Sequence, residues 1–237
     1  VMWASFFASL IQYFLSFLKL KFIFEKRVKA PKVDTGELFI YGAPAALAVF
    51  GLASFITTDI VLIKHFFNPS DAGIYAGMSL IGKVIFFFSA PIGTVMFPLI
   101  VQKHTRSENY HNIFKLSLFL VLIPSVAITT FYFIFPEFTI RFFTKREEYV
   151  AASSYLGIFG VFITIYSLLS IVSNFYLSIK KTEIFIPIII AAIAQGILIW
   201  FFHQSFLQVI SISLITVSLL LFLLLLYYWK LYGKKTS

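Results

Sequence analysis

Of 237 residues, 60% are hydrophobic and only 12% charged, and the mean hydropathy is +0.94. That balance excludes an ordinary soluble domain and selects a chain embedded in a membrane. Cysteine is absent, which excludes disulfides, thiol catalysis and cysteine-ligated metals.

Seven apolar stretches are predicted as spans: Met2–Phe24, Leu38–Ile63, Ile74–Val101, Ile113–Phe135, Ala151–Ser178, Ile184–Phe202 and Gln208–Trp229. Each approaches or exceeds the ~20 residues a helix needs to cross the hydrocarbon core. Barrel strands would alternate in polarity over ~10 residues, whereas Leu219–Leu226 is continuously apolar. The fold class is therefore an all-α membrane protein of about seven transmembrane helices.

The net charge of +9 raises nucleic acid as a partner, but no connection joins basic and aromatic residues on a foldable module. The basic residues sort by side instead. Lys19, Lys21, Lys26, Arg27, Lys29 and Lys32 follow the first span, and Lys103, Arg106 and Lys115 follow the third. Lys180 and Lys181 follow the fifth, and Lys230, Lys234 and Lys235 the seventh. The other side holds only Lys64, Arg141, Lys145 and Arg146. By the positive-inside rule the richer side is cytoplasmic, which places the C-terminus inside and Val1 outside. Val1 opens an apolar helix without the charged region or cleavage site of a signal peptide, so the expectation is a C-terminal portion of a longer protein. The predicted organisation is a span over 1–24 ending a separate lobe, a basic cytoplasmic linker over 25–37, a six-helix lobe over 38–229 and a tail over 230–237.

In the first span Ser5, Ser9, Gln12, Ser16 and Lys19 recur on one helical face. In the fifth, Thr164, Ser167, Ser170, Asn174 and Ser178 do the same. Small hydroxyl residues favour helix packing, while the larger Gln12 and Asn174 are the candidates to line a cavity. Pro44, Pro91, Pro98, Pro124 and Pro187 fall within spans, where each removes a backbone donor and bends its helix. Pro91 and Pro98, with Gly93 between them, mark the candidate hinge. The last span is aliphatic on every face and reads as peripheral and lipid-facing.

Asp59 and Lys83 are ionisable side chains inside predicted spans. Counted from the Asn68–Asp71 turn, their depths differ by only ~5 Å along two antiparallel helices. An ionised group in a span is costly, and is paired, solvated or functional. Two readings stand: an ion pair that locks two helices, or a substrate or coupling-ion site. His65, His104, His111 and His203 lie at span ends or in loops without the spacing of a metal site. No metal, cofactor or enzymatic constellation is expected.

The stretch Thr58–Gln102 carries a further pattern: Asp59 near a helix end, a short turn into Ala72-Gly73-Ile74-Tyr75, and Phe97-Pro98 closing the next helix. It resembles the C-terminal half of bacterial oligosaccharide flippases, in the multidrug/oligosaccharidyl-lipid/polysaccharide exporter superfamily. The first span looks like the last helix of the N-lobe in that fold, and the rest like the C-lobe of a twelve-helix transporter. The resemblance implies an inner-membrane protein that moves an undecaprenyl-type lipid-linked oligosaccharide by alternating access in polysaccharide or O-antigen assembly. It also implies membrane lipids and a missing N-terminal lobe or partner chain as partners. Lys83 would then meet the carrier's phosphates, with Asp59 as its counter-ion or a coupling residue. A multidrug or cation antiporter of the same superfamily and a non-transporting scaffold are the alternatives.

Overall fold

The computed structural model describes residues 2–19 and 35–232. The end of the predicted first span, with Lys21, most of the predicted linker, with Lys26, Arg27, Lys29 and Lys32, and most of the predicted tail, with Lys234 and Lys235, lie outside the described residues. The chain divides into two compact units, Val1–Ile40 and Tyr41–Ser237. In the first, α1 covers Met2–Lys19. It is not among the helices long and apolar enough to cross a membrane, because its regular polar positions dilute the apolar ones.

Nine helices follow among the described residues, and no strand. They are α2 (Thr35–Phe55), α3 (Thr58–Phe66), α4 (Pro69–Gly82), α5 (Val84–Thr105), α6 (His111–Ile134), α7 (Pro136–Thr144), α8 (Ser153–Ser178), α9 (Phe185–Phe201) and α10 (Phe206–Tyr232). Five described helical stretches can span a membrane, or six if the bent pair α2–α3 counts as one. The all-α membrane class thus holds, with five or six such spans among the described residues where the sequence predicted about seven.

Two predicted spans are interrupted. Leu38–Ile63 is α2 and α3, bent by 44°, and Ile74–Val101 is α4 and α5, joined at Lys83. The first break follows from hydroxyl competition: Ser54 Oγ donates to the Phe50 carbonyl and Thr57 Oγ1 to the Ala53 carbonyl, each at 2.9 Å. Such back-bonding offers the backbone an alternative partner and bends helices. At Lys83 the ladder nearly continues, since its N–H reaches the Ser79 carbonyl and its own carbonyl receives the Phe87 N–H, both at 3.0 Å. The start of α4 is set by Asn68, whose Oδ1 accepts the Asp71 N–H at 2.9 Å, with Pro69 in the first turn. Pro187 stands in the first turn of α9, where a missing N–H costs nothing. Pro91 and Pro98 lie inside a continuous α5.

The centre of the second unit is α8, which packs against α5, α6 and α10. The most apolar stretch of the α8 span is 72% buried, against 22% for that of α9. The last helix does not present every face outward. Val209, Ser213, Thr216, Val217, Leu220 and Leu224 form its buried stripe, and Tyr176 of α8 donates to the Leu224 carbonyl at 2.8 Å. Its composition is aliphatic all round, so periodicity could not reveal the packed face.

Glycines permit two close approaches with different consequences. A Cβ at Gly82 would meet the ring of Phe159, which is wholly buried and has nowhere to move. A Cβ at Gly157 would meet the ring of Phe133 at 2.5 Å, but Phe133 is 55% exposed and can turn outward. Gly82→Ala is therefore expected to destabilise the protein by about 1–3 kcal/mol through overpacking. Gly157→Ala should be near neutral, because the helix gains from losing a glycine offset the strain. Thermal unfolding of both variants in the same detergent checks the contrast.

Candidate functional site

Breaking α2 from α3 gives α3 its own N-terminus, and Asp59 sits in that first turn. A carboxylate there meets the positive end of the helix dipole. It is fully buried, and Tyr75 of α4 donates its hydroxyl to Asp59 Oδ2 at 2.8 Å. Tyr75, Ser79 and Lys83 recur every fourth residue, so one face of α4 carries the first two and its continuation at the α4–α5 junction carries Lys83. Lys83 is 9% exposed and interacts with Asp59 electrostatically. It forms no ion pair within bonding distance among the described residues. Of the two readings, the ion pair takes the form of a Tyr75 hydrogen bond to Asp59 with Lys83 nearby rather than a direct contact. Asp59 Oδ1 and Ser79 Oγ are buried without a hydrogen-bond partner among the described residues.

Gln195, which sequence reasoning missed, completes the break. It is wholly buried on α9, and its amide donates to the Phe55 carbonyl at 3.1 Å and to Ser213 Oγ at 2.8 Å. Phe55 is the last residue of α2, so Gln195 satisfies a carbonyl that the interrupted helix frees. An amide inside an otherwise apolar run was the available signal. Nothing local to Gln195 or Tyr75 showed what either would bind.

A second feature lies elsewhere in the unit. A cavity of about 390 Å³ opens between α5 and α8. Ser89, Thr94, Ser167, Ser170 and Asn174 give it hydroxyl and amide groups, and Phe86 and Phe97 give it aromatic faces. A neighbouring hollow of about 620 Å³ shares Phe97 and Asn174 and adds Tyr41 and α2. Among the described residues no Asp, Glu, Lys, Arg or His lines either one. Gly93 is buried on the α5 wall, where a Cβ would stand 3.1 Å from Asn174 Nδ2. The back of the cavity is fastened by hydroxyl pairs, Ser89 Oγ with Ser125 Oγ at 3.3 Å and Thr129 Oγ1 with Thr164 Oγ1 at 2.8 Å.

The structure thus brings Asp59 near Lys83, and Asn174 beside Gly93, as two separate features. Neither Asp59 nor Lys83 lines the cavity that Asn174 lines. Gln12 is exposed on α1, within the other unit. Pro91 and Pro98 are both exposed, on the side of α5 away from buried Gly93. Among the described residues no group of three or more His, Asp or Glu could hold a metal.

A protein-family model described as MatE matches residues 44–202, about two thirds of the chain, from within α2 to just past α9. No curated protein and no solved structure matches.

If Asp59 depends on both partners, losing one should cost more than removing the charges together. Tyr75→Phe should destabilise by about 1–3 kcal/mol, because it strips the one side-chain donor from a buried acceptor. Lys83→Met should likewise lower the unfolding temperature, and Asp59→Asn combined with Lys83→Met should recover part of the loss. A double mutant that is merely the sum of its singles would show that the two charges are uncoupled. Gln195→Leu is expected to destabilise by a similar ~1–3 kcal/mol, leaving the Phe55 carbonyl without its donor.

Proposed function

We propose that this chain, which belongs to the MatE family of multi-pass membrane transporters, forms one wall of a path for a lipid-linked oligosaccharide. The observation that carries the reading is the chemistry of the α5–α8 cavity. A sugar presents hydroxyls to hydrogen-bond and C–H faces to stack, and this lining offers hydroxyls, an amide and two phenylalanines. A cationic drug would be held better by an acid within the cavity. The buried acid of this lobe is instead set in a helix break and engaged by Tyr75 and Lys83.

In this reading Asn174, Ser167 and Ser170 meet the glycan. Asp59 and Lys83 hold the α2–α3 break in shape and so set where the walls of the path stand. Gly93, Pro91 and Pro98 supply the adaptable part of α5, because Gly93 leaves room beside Asn174 and the prolines remove two helical donors. The oligosaccharide would be carried across the cytoplasmic membrane for polysaccharide or O-antigen assembly, with the C-terminus on the cytoplasmic side. Support for that orientation is the charge asymmetry of the connections.

Asn174→Leu tests the assignment. It should lower export of surface glycan at least tenfold while leaving the amount of protein in the membrane unchanged, measured by surface glycan labelling and immunoblot. Ser170→Ala should lower it less. Glycan export at the parental level in Asn174→Leu, together with ion-driven efflux of a cationic dye from vesicles, would replace this reading with the antiporter.

A further inference from the structure

At the end of the bundle away from the clustered basic residues, α6 runs straight into α7 with one residue between them. This short helix buries Thr139 and Ile140 and leaves Phe138, Phe142 and Phe143 exposed. With Phe131 and Phe135 they form a continuous run of ring contacts, at centroid distances of 5.2 Å for Phe131–Phe135, 6.4 Å for Phe131–Phe138 and 6.1 Å for Phe138–Phe142. Aromatic rings and an amphipathic helix directly after a span are the features of a membrane–water interface. Depth agrees. About 20 residues from Ile100 towards the start of α5 reach Leu80, so the far hydrocarbon boundary falls near the end of α4.

A crevice of about 450 Å³ lies there, between the end of α4, the start of α5 and the end of α7. Its floor is Leu80, Val84, Phe87 and Phe143, and its lip is Thr144, Arg146 and Tyr149. Two backbone features build the lip. Lys145 takes a left-handed conformation, φ 53°, which ends α7 and turns Arg146 back over the floor. Gly77 leaves room for the Tyr149 ring to lie directly on α4. The Tyr149 hydroxyl has no hydrogen-bond partner among the described residues.

Arg146 is the one charged residue of the lining, and the chain around it balances three acids with three bases, Glu137, Glu147 and Glu148 with Arg141, Lys145 and Arg146. Arg146 pairs with Glu148 at 3.2 Å, and Arg141 with Glu147 at 2.9 Å. Both pairs are exposed, and exposed pairs are weak enough to exchange partners. A ligand with one apolar end and a head carrying a phosphate beside an ammonium matches this arrangement. A purely anionic head would bring no cation of its own for Glu147 and Glu148, the acids paired to Arg141 and Arg146.

We propose that the crevice is a binding site for one zwitterionic phospholipid of the surrounding bilayer. An acyl chain lies along Leu80, Val84 and Phe87. The phosphate is held by Arg146 and the Tyr149 hydroxyl, and the ammonium rests beside Glu147 and Glu148. The site concerns the resident bilayer and does not depend on what the protein transports.

Native mass spectrometry provides the test, using the purified protein from vesicles of phosphatidylethanolamine and phosphatidylglycerol in equal parts. One phosphatidylethanolamine should survive delipidation that strips the rest. Retention should fall about tenfold in Arg146→Ala combined with Tyr149→Phe, and equally in Leu80→Trp, which fills the floor. Phe222→Ala, exposed on α10, should retain the lipid. Unfolding temperatures measured alongside show that loss of lipid is not loss of fold. Equal retention of phosphatidylglycerol, undiminished retention in both crevice variants, or displacement of the lipid by inorganic phosphate alone would each overturn the proposal.

Discussion

A carboxylate with no exposed surface, set in a bundle of apolar helices, constrains everything around it. Removing a charge from water without compensation is costlier than any single packing contact can offset. Asp59 is compensated by three things at once: the N-terminus of α3, the Tyr75 hydroxyl at 2.8 Å and the nearby Lys83. Each requires a particular arrangement. The N-terminus exists only because α2 stops at Phe55. Tyr75 reaches Asp59, and Lys83 just past α4 stands near it, only if α4 presents the face that repeats every four residues. The freed Phe55 carbonyl then needs Gln195, which ties α9, and through Ser213 also α10, to the same point. Five helices, α2, α3, α4, α9 and α10, are thereby registered around one acid.

The cavity between α5 and α8 follows a different rule. Its polar groups are hydroxyls and one amide, and several are shared with the helix packing itself. Ser89 bonds to the Ile85 carbonyl at 2.8 Å and Ser167 to the Ile163 carbonyl at 2.8 Å. Small hydroxyl residues that satisfy themselves on their own helix are cheap to bury and still offer a lone pair or a donor to a ligand. A cavity built this way needs no charge. Keeping Asp59 and Lys83 out of it means that the groups stabilising the fold need not exchange partners when the cavity fills.

Composition and periodicity revealed the class, the rough limits of α6, α8, α9 and α10, the oddity of Asp59 and Lys83 and the polar face of α8 that carries Asn174. Those are properties of one helix or of overall hydropathy. The α2–α3 break was less legible. Ser54, Thr57 and Thr58 were visible as polar residues beside Asp59, but a hydroxyl bonding back to its own helix does not announce itself in sequence. The break also depends on Gln195, about 140 residues away. Tyr75 stood in the sequence only as the end of the Ala72-Gly73-Ile74-Tyr75 pattern, and its bond to Asp59 depends on how α3 and α4 pack. The packed face of α10 could not be found, since leucine on every face leaves no contrast.

The behaviour of proline sharpens what bending requires. α2 is broken after Phe55 although Pro44 lies well before the break, while α5 stays continuous across Pro91 and Pro98. Loss of one donor is thus not enough to break a helix in an apolar setting; other partners must take up the freed groups. At the α2–α3 break, Ser54, Thr57 and Gln195 supply them. In α5, Pro98 lacks the N–H that would otherwise serve the Thr94 carbonyl, and Thr94 lines the cavity. That carbonyl lacks its usual helical donor beside a space whose proposed occupant is rich in hydroxyl donors. At Phe55 the carbonyl without a helical donor is met by Gln195, whereas α5 stays one helix from Val84 to Thr105 across the missing donor of Pro98.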